Sequence, residues 1–134
     1  MEKTSRTGKR PQLFLTVDAL PLPAGRVVLR PVGELDLASC GQLREAIDAQ
    51  LQAGRAWLVL DMSALTFLDS TGLAVLAESS MKAARDGGQL ALAALRPQPA
   101  KVLNITGLDS KLPVYRDTGD AIAALAPAEG AAAS

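Results

Sequence analysis

The order of apolar runs along this chain predicts an α/β sandwich: a mostly parallel central sheet of four to five strands, an antiparallel N-terminal edge strand and about four helices. Three observations carry this expectation. Apolar runs of strand length alternate with stretches of helical period, the pattern of right-handed β-α-β crossovers. The run Trp57-Leu58-Val59-Leu60-Asp61 is apolar almost throughout, as in a strand buried on both faces of a parallel sheet. Two runs near the start are separated by a break rich in Pro and Gly, as in a hairpin.

The first run, Leu13-Phe14-Leu15-Thr16-Val17, reads as a strand. Pro21, Pro23 and Gly25 interrupt the chain before the second, Arg26-Val27-Val28-Leu29-Arg30. Pro31 has no N–H for a ladder, which places it at an edge, a bulge or the end of this strand. Gly33-Glu34-Leu35-Asp36 reads as a polar turn. Leu43, Ala46, Ile47 and Leu51 then recur at spacings of three and four, one face of a helix over about 38–53 that stops near Gly54.

A joint follows the Trp57–Asp61 strand, and a second helix runs to about Arg85 with Leu73, Leu76, Ala77, Ser80 and Ala84 at helical spacing. Gly87-Gly88 is the turn signal that closes it. Gln89–Ala93 is another strand. Pro97 and Pro99 open a short helix through Val102, Leu103 and Ile105 that Gly107 can end. Leu112–Tyr115 is a weak final strand, and Thr118 can cap a last helix with Asp120 in its first turn and Ile122 and Leu125 facing inward. The expected organisation is one domain over 13–125. A mobile arm over 1–12 carries Lys3, Arg6, Lys9 and Arg10, and a disordered Ala-rich tail spans 126–134.

Composition removes several functions. Lys plus Arg (14) equals Asp plus Glu (14), and aromatic residues make up 3% of the chain. Neither a broad cationic field for a phosphate backbone nor stacking platforms for bases are available, so direct nucleic-acid binding is not expected. Histidine is absent, which excludes Ser-His-Asp and Cys-His catalysis and the helical zinc-protease motif. No lysine-bearing phosphate loop is present. The expectation is a protein that is not an enzyme, needs no cofactor and holds no metal. Cys40, the single cysteine, reads as a small buried side chain. No run approaches the length of a membrane span and the first residues lack a signal-peptide core, which points to the cytoplasm.

What remains is Asp69-Ser70-Thr71-Gly72, two adjacent hydroxyls where a helix begins. A helix start offers unpaired N–H groups and a partial positive charge, so a phosphate added there is accommodated. Ser or Thr at such a place is ordinarily a cap, contributing about 1 kcal/mol. A second hydroxyl followed by glycine exceeds that need, since glycine costs about 1 kcal/mol relative to alanine within a helix. If Asp69 or Ser70 is the cap, Thr71 falls in the first turn, open to a kinase.

In order and spacing, Gly33-Glu34-Leu35-Asp36, Leu60-Asp61-Met62-Ser63, Phe67-Leu68-Asp69-Ser70-Thr71-Gly72-Leu73, Gly107-Leu108 and Val114-Tyr115 resemble the STAS family of bacterial anti-sigma-factor antagonists. The likeness covers about Leu13 to Leu125. It implies the STAS-like form of the sandwich and a partner-switching role. The unphosphorylated protein binds an anti-sigma factor that is itself a serine/threonine kinase and frees a sigma factor; phosphorylation ends the binding, which leaves a phosphatase as a further candidate partner. The resemblance puts the phosphate on Thr71, with Ser70 as the alternative. It puts Glu34, Asp36, Asp69, Ser70, Thr71 and Gly72 on the partner-binding surface. A second reading from the same resemblance is a subunit of a lipid-transport ATPase complex.

Overall fold

Strict alternation along two central strands divides the interior into two cores. The computed structural model describes residues 15–125. Within them, β1 (Thr16–Leu22) and β2 (Arg26–Leu35) are followed by α1 (Cys40–Gln52), β3 (Trp57–Asp61), β4 (Leu65–Leu68), α2 (Ser70–Arg85), β5 (Gln89–Ala93), α3 (Pro97–Thr106), β6 (Val114–Tyr115) and α4 (Thr118–Ala124). Leu58 and Leu60 of β3 and Leu90 and Leu92 of β5 enter the larger core beneath α1, α2 and α3. Val59, Ala91 and Ala93 point the other way, against Ala121 and Leu125 at α4. Each strand is therefore apolar on both faces because helices cover both.

The sheet has six strands in the order β1-β2-β3-β5-β6, with β4 paired to β2. Only the β1-β2 pair is antiparallel. The architecture is the expected mixed sheet with one antiparallel edge and four helices. The additional strand is β4, four residues inside the segment read as a joint; so short an element has too few alternating positions to register as a pattern.

The expected polar turn Gly33-Glu34-Leu35 is instead the end of β2. The strand leaves β3 after Leu29 pairs with Leu60 and takes up β4 where Gly33 pairs with Leu65. Pro31 lies between the two ladders, where a missing N–H on that side is harmless. β1 begins at Thr16 and runs through Pro21, which an edge strand tolerates, so the break narrows to Pro23-Ala24-Gly25. Leu13 and Phe14 of the expected strand, the 1–12 arm and the 126–134 tail lie outside the described residues.

Other differences are local. The buried face of α2 is Gly72, Val75, Leu76, Ser79 and Ala83, and Ala84 is exposed. The helix is rolled by about one residue from the expected face because Gly72 must lie against Leu35. Ile105 of α3 is exposed, leaving Pro99 and Leu103 as that helix's buried residues. Gly107 ends α3 with φ 77, the left-handed conformation expected of it. Asp117, not Thr118, caps α4: its carboxylate accepts the Asp120 N–H at 2.8 Å, since an acceptor one residue earlier reaches the free N–H of the first turn. Cys40 is only partly buried, with its sulfur 3.6 Å from the Leu37 carbonyl oxygen.

Ion pairs bridge α1 and α2 at the surface. Arg44 Nε lies 3.3 Å from Glu78, and Lys82 Nζ lies 3.0 Å from both Asp48 and Glu78. Lys82, then burial and Arg44, set the Glu78 carboxyl, with a net shift below its usual range.

Candidate functional site: the start of the second helix

β4 delivers the chain to α2 through one extended residue. Asp69 has φ −111 and ψ −172, and its side chain turns back over the first turn. Its Oδ1 accepts the N–H of Thr71 at 3.0 Å and the N–H of Gly72 at 3.1 Å. The same oxygen accepts the Thr71 hydroxyl at 2.6 Å. Of the two caps the sequence left open, Asp69 is the one used.

Burial raises the Asp69 carboxyl, but the Thr71 hydroxyl and the N–H groups of Gly72, Thr71 and Leu37 outweigh it. The net shift is below the ordinary value, so this carboxylate is ionised at neutral pH and acts only as an acceptor. Ser70 is exposed and Thr71 is half-buried. Both hydroxyl-bearing residues therefore reach the surface.

Gly72 lies underneath. A Cβ there would come within 2.5 Å of Leu68 Cδ1, 2.8 Å of Leu35 Cγ and 2.9 Å of the Leu35 carbonyl oxygen. Only glycine lets the helix start sit this close to the end of β2. The Asp69 N–H is donated to the Leu35 carbonyl at 3.2 Å, which completes the junction.

Glu34 and Asp36 flank Leu35 at the end of β2. Asp36 opens the loop into α1, with its Oδ1 accepting the N–H groups of Ala38 at 3.1 Å and Ser39 at 3.2 Å. Ser39 is buried; its hydroxyl donates to the Glu34 carbonyl at 2.6 Å and accepts the Asp36 N–H at 3.0 Å. Alternation along β2 sets the Glu34 side chain on the opposite face from Leu35. The site thus brings Asp36, Asp69, Ser70 and Thr71 to one corner, with Gly72 beneath it and Glu34 behind the strand.

Four residues outside the expected binding set complete the corner. Leu37 at the loop tip is 75% exposed and Phe67 on β4 is 38% exposed, so the acidic and hydroxyl groups have apolar neighbours. Ser39 precedes α1 as a cap would, yet its hydroxyl makes no cap bond and braces the Asp36 loop instead. The Gln98 carboxamide holds the Leu68 peptide. Only Ser39 carried a signal, its place before a helix. Among the described residues no group of His, Cys, Asp or Glu is arranged to hold a metal ion, and no helix is long and apolar enough to cross a membrane.

Residues 19–121 match the STAS domain family. The anti-sigma-F factor antagonist RsfB of Mycobacterium tuberculosis is 33% identical over 100 residues, which are 73% of this chain and 80% of that protein. The crystal structure of an anti-sigma factor antagonist from Mycobacterium paratuberculosis superposes with a TM-score of 0.77 at 30% identity, covering 87% of this chain and 97% of that one. The Bacillus cell fate determinant SpoIIAA in its phosphorylated form shares the fold, with a TM-score of 0.66 at 22% identity over 83% of this chain and 100% of that one. The chain belongs to the STAS-domain family of anti-sigma factor antagonists.

Proposed function

We propose that this chain is a partner-switching regulator. Unmodified, it docks on an anti-sigma factor with serine/threonine kinase activity and so frees a sigma factor; a phosphate at the start of α2 switches the docking off. The observation that carries this reading is Thr71, partly exposed in the first turn of a helix, with its hydroxyl 2.6 Å from the Asp69 carboxylate. The chain acts as ligand and substrate, and the kinase supplies the catalysis.

Docking uses Asp36, Asp69, Ser70 and Thr71, with Gly72 shaping the surface from below and Glu34 at its margin. The acceptor is Thr71, with Ser70 as the alternative. A phosphate there adds nearly two negative charges next to Asp69 and close to the Asp36 loop. The partial positive charge at the helix start favours it, so the fold survives. A partner that had matched a neutral hydroxyl and two carboxylates meets a dianion, at a cost in repulsion and desolvation. A penalty of about 3 kcal/mol weakens binding more than a hundredfold. A phosphatase then resets the site.

Support comes from the names carried by the relatives: RsfB is an anti-sigma-F factor antagonist, and SpoIIAA exists in a phosphorylated form. The test is to isolate the full chain with its copurifying partners, add ATP and locate the phosphate by mass spectrometry. Phosphate on Thr71 or Ser70 with release of a kinase partner is the expected result. Phosphate elsewhere, or copurification with a transport ATPase and a permease, overturns the reading.

A further inference from the structure

The geometry points to a small-molecule site on the face of the sheet away from α1, α2 and α3, one that takes a free aliphatic α-amino acid by both its charges and its side chain. The site shares no residue with the docking corner and is independent of the reading given there.

α4 covers this face only in part. Its seven residues pack on β3, β5 and β6, and β1 and β2 extend past it. An open cavity of about 280 Å³ lies between Ile122 of α4 and the β1-β2 ladder, a volume at the small end of ligand sites. Strand register sets its floor. Leu20 pairs with Val28, which pairs with Val59 of β3. Two residues along each strand, Asp18 pairs with Arg30, and Asp61 follows on β3. Side chains two apart share a face, so an apolar row, Leu20 and Val28, runs beside a charged row, Asp18, Arg30 and Asp61.

Neither row is satisfied by the fold. Leu20 is 60% exposed, and Val28 and Ile122 are only partly buried at the margin of the smaller core. Arg30 Nη1 lies 3.9 Å from Asp18 and Arg30 Nε lies 3.9 Å from Asp61, whereas a hydrogen bond needs about 2.7–3.2 Å. One Asp61 oxygen accepts the Ser63 N–H at 3.0 Å, and the other faces Arg30. A ligand carboxylate fits the guanidinium fork. A ligand ammonium, a donor only, fits the carboxylates on either side. A branched aliphatic group then covers Leu20, Val28 and Ile122, taking apolar surface out of water. An acid alone meets the two carboxylates and an amine alone meets the guanidinium, so a molecule carrying both signs is the one that answers the row.

The test titrates the full chain with leucine up to about 10 mM, which fills a site of millimolar Kd, and follows amide and methyl resonances by NMR. Saturable shifts at Leu20, Val28 and Ile122 are expected. Isocaproate, which lacks the ammonium, isoamylamine, which lacks the carboxylate, and glycine, which lacks the side chain, are each expected to bind about tenfold more weakly or worse. Arg30→Gln and Asp61→Asn should each weaken leucine by a similar factor while the spectrum of the fold is kept. If either variant loses the fold, the ligand series on wild type decides alone. Absence of saturable shifts with leucine overturns the site. Equal binding of leucine and either singly charged analogue, or unchanged affinity in both folded variants, overturns recognition of the paired charges.

Discussion

The side chain of Gln98 meets the peptide of Leu68 as a neighbouring strand would. Its Oε1 accepts the Leu68 N–H at 2.8 Å and its Nε2 donates to the Leu68 carbonyl at 3.0 Å. β4 is paired with β2 on one side, and its last residue is satisfied on the other by this one carboxamide from α3. The residue so held is the one before Asp69.

Gln98→Ala removes both bonds and leaves two backbone groups of Leu68 unpaired. A cost of about 1–3 kcal/mol is expected for a group left without its partner. Urea unfolding reads the stability loss, and hydrogen exchange should show the Leu68 amide losing protection ahead of Leu58 and Leu60 in the core. Unchanged protection at Leu68 would show that the buckle contributes nothing.

Gly72→Ala sets helix propensity against packing. Alanine in a helix gains about 1 kcal/mol over glycine. The added Cβ, however, meets Leu68 and both the side chain and the backbone of Leu35 at distances no real Cβ adopts. Overpacking of this kind costs about 1–3 kcal/mol, so net destabilisation is expected, together with weaker partner binding as the helix start is pushed outward. A more stable variant in chemical denaturation would refute the close contact.

The Asp69 cap has a pH signature. Its carboxyl is depressed in the folded state from an ordinary value of 3.8. A depressed carboxyl contributes its stability above the ordinary value and loses it as pH falls through the lower folded value. Asp69→Asn keeps the cap without the titration. The melting temperature of wild type relative to Asp69→Asn should hold steady near neutral pH and fall below about pH 4. Parallel curves down to pH 2 would show that Asp69 is not preferentially ionised in the fold.

At Thr71 the expectation concerns binding. Thr71→Ala removes the proposed acceptor and one bond to Asp69 while both backbone cap bonds remain, so partner affinity should stay within about threefold, or under 1 kcal/mol. Thr71→Glu adds a negative charge beside Asp69 and should weaken binding at least tenfold, about 1.4 kcal/mol. Calorimetry with the purified anti-sigma partner measures both. Equal affinities for the two variants would remove charge as the basis of the proposed switch.

The ion pairs between α1 and α2 should contribute little. Arg44 and Glu78 are each more than a third exposed, and such pairs contribute about 0.2–1 kcal/mol. Glu78→Gln should cost no more than that, and raised salt should shrink the difference. A loss that persists at 1 M salt would mark the pair as part of the packing.

Local pattern was enough to place the most buried elements. Val27 and Leu29, Leu58 to Leu60 and Leu90 to Ala93 announce strands through their own side chains, and Leu43 with Ile47 announces a helix, because burial of these residues is the main force that forms the elements. The Asp-Ser-Thr-Gly start of α2 was visible for the same reason, since a cap and its helix are neighbours in sequence. Long-range pairing decided the rest. Whether Gly33-Glu34-Leu35 turns or continues as strand depends on β4 arriving beside it from 32 residues further along (Gly33 to Leu65). The roll of α2 depends on Leu35 taking the space that only Gly72 leaves open. Which hydroxyl Asp69 holds, and which side chain closes the edge of β4, follow from distances set when separate segments meet. Such contacts leave no period in the chain, because a hydrogen bond across the fold asks for one residue in one place.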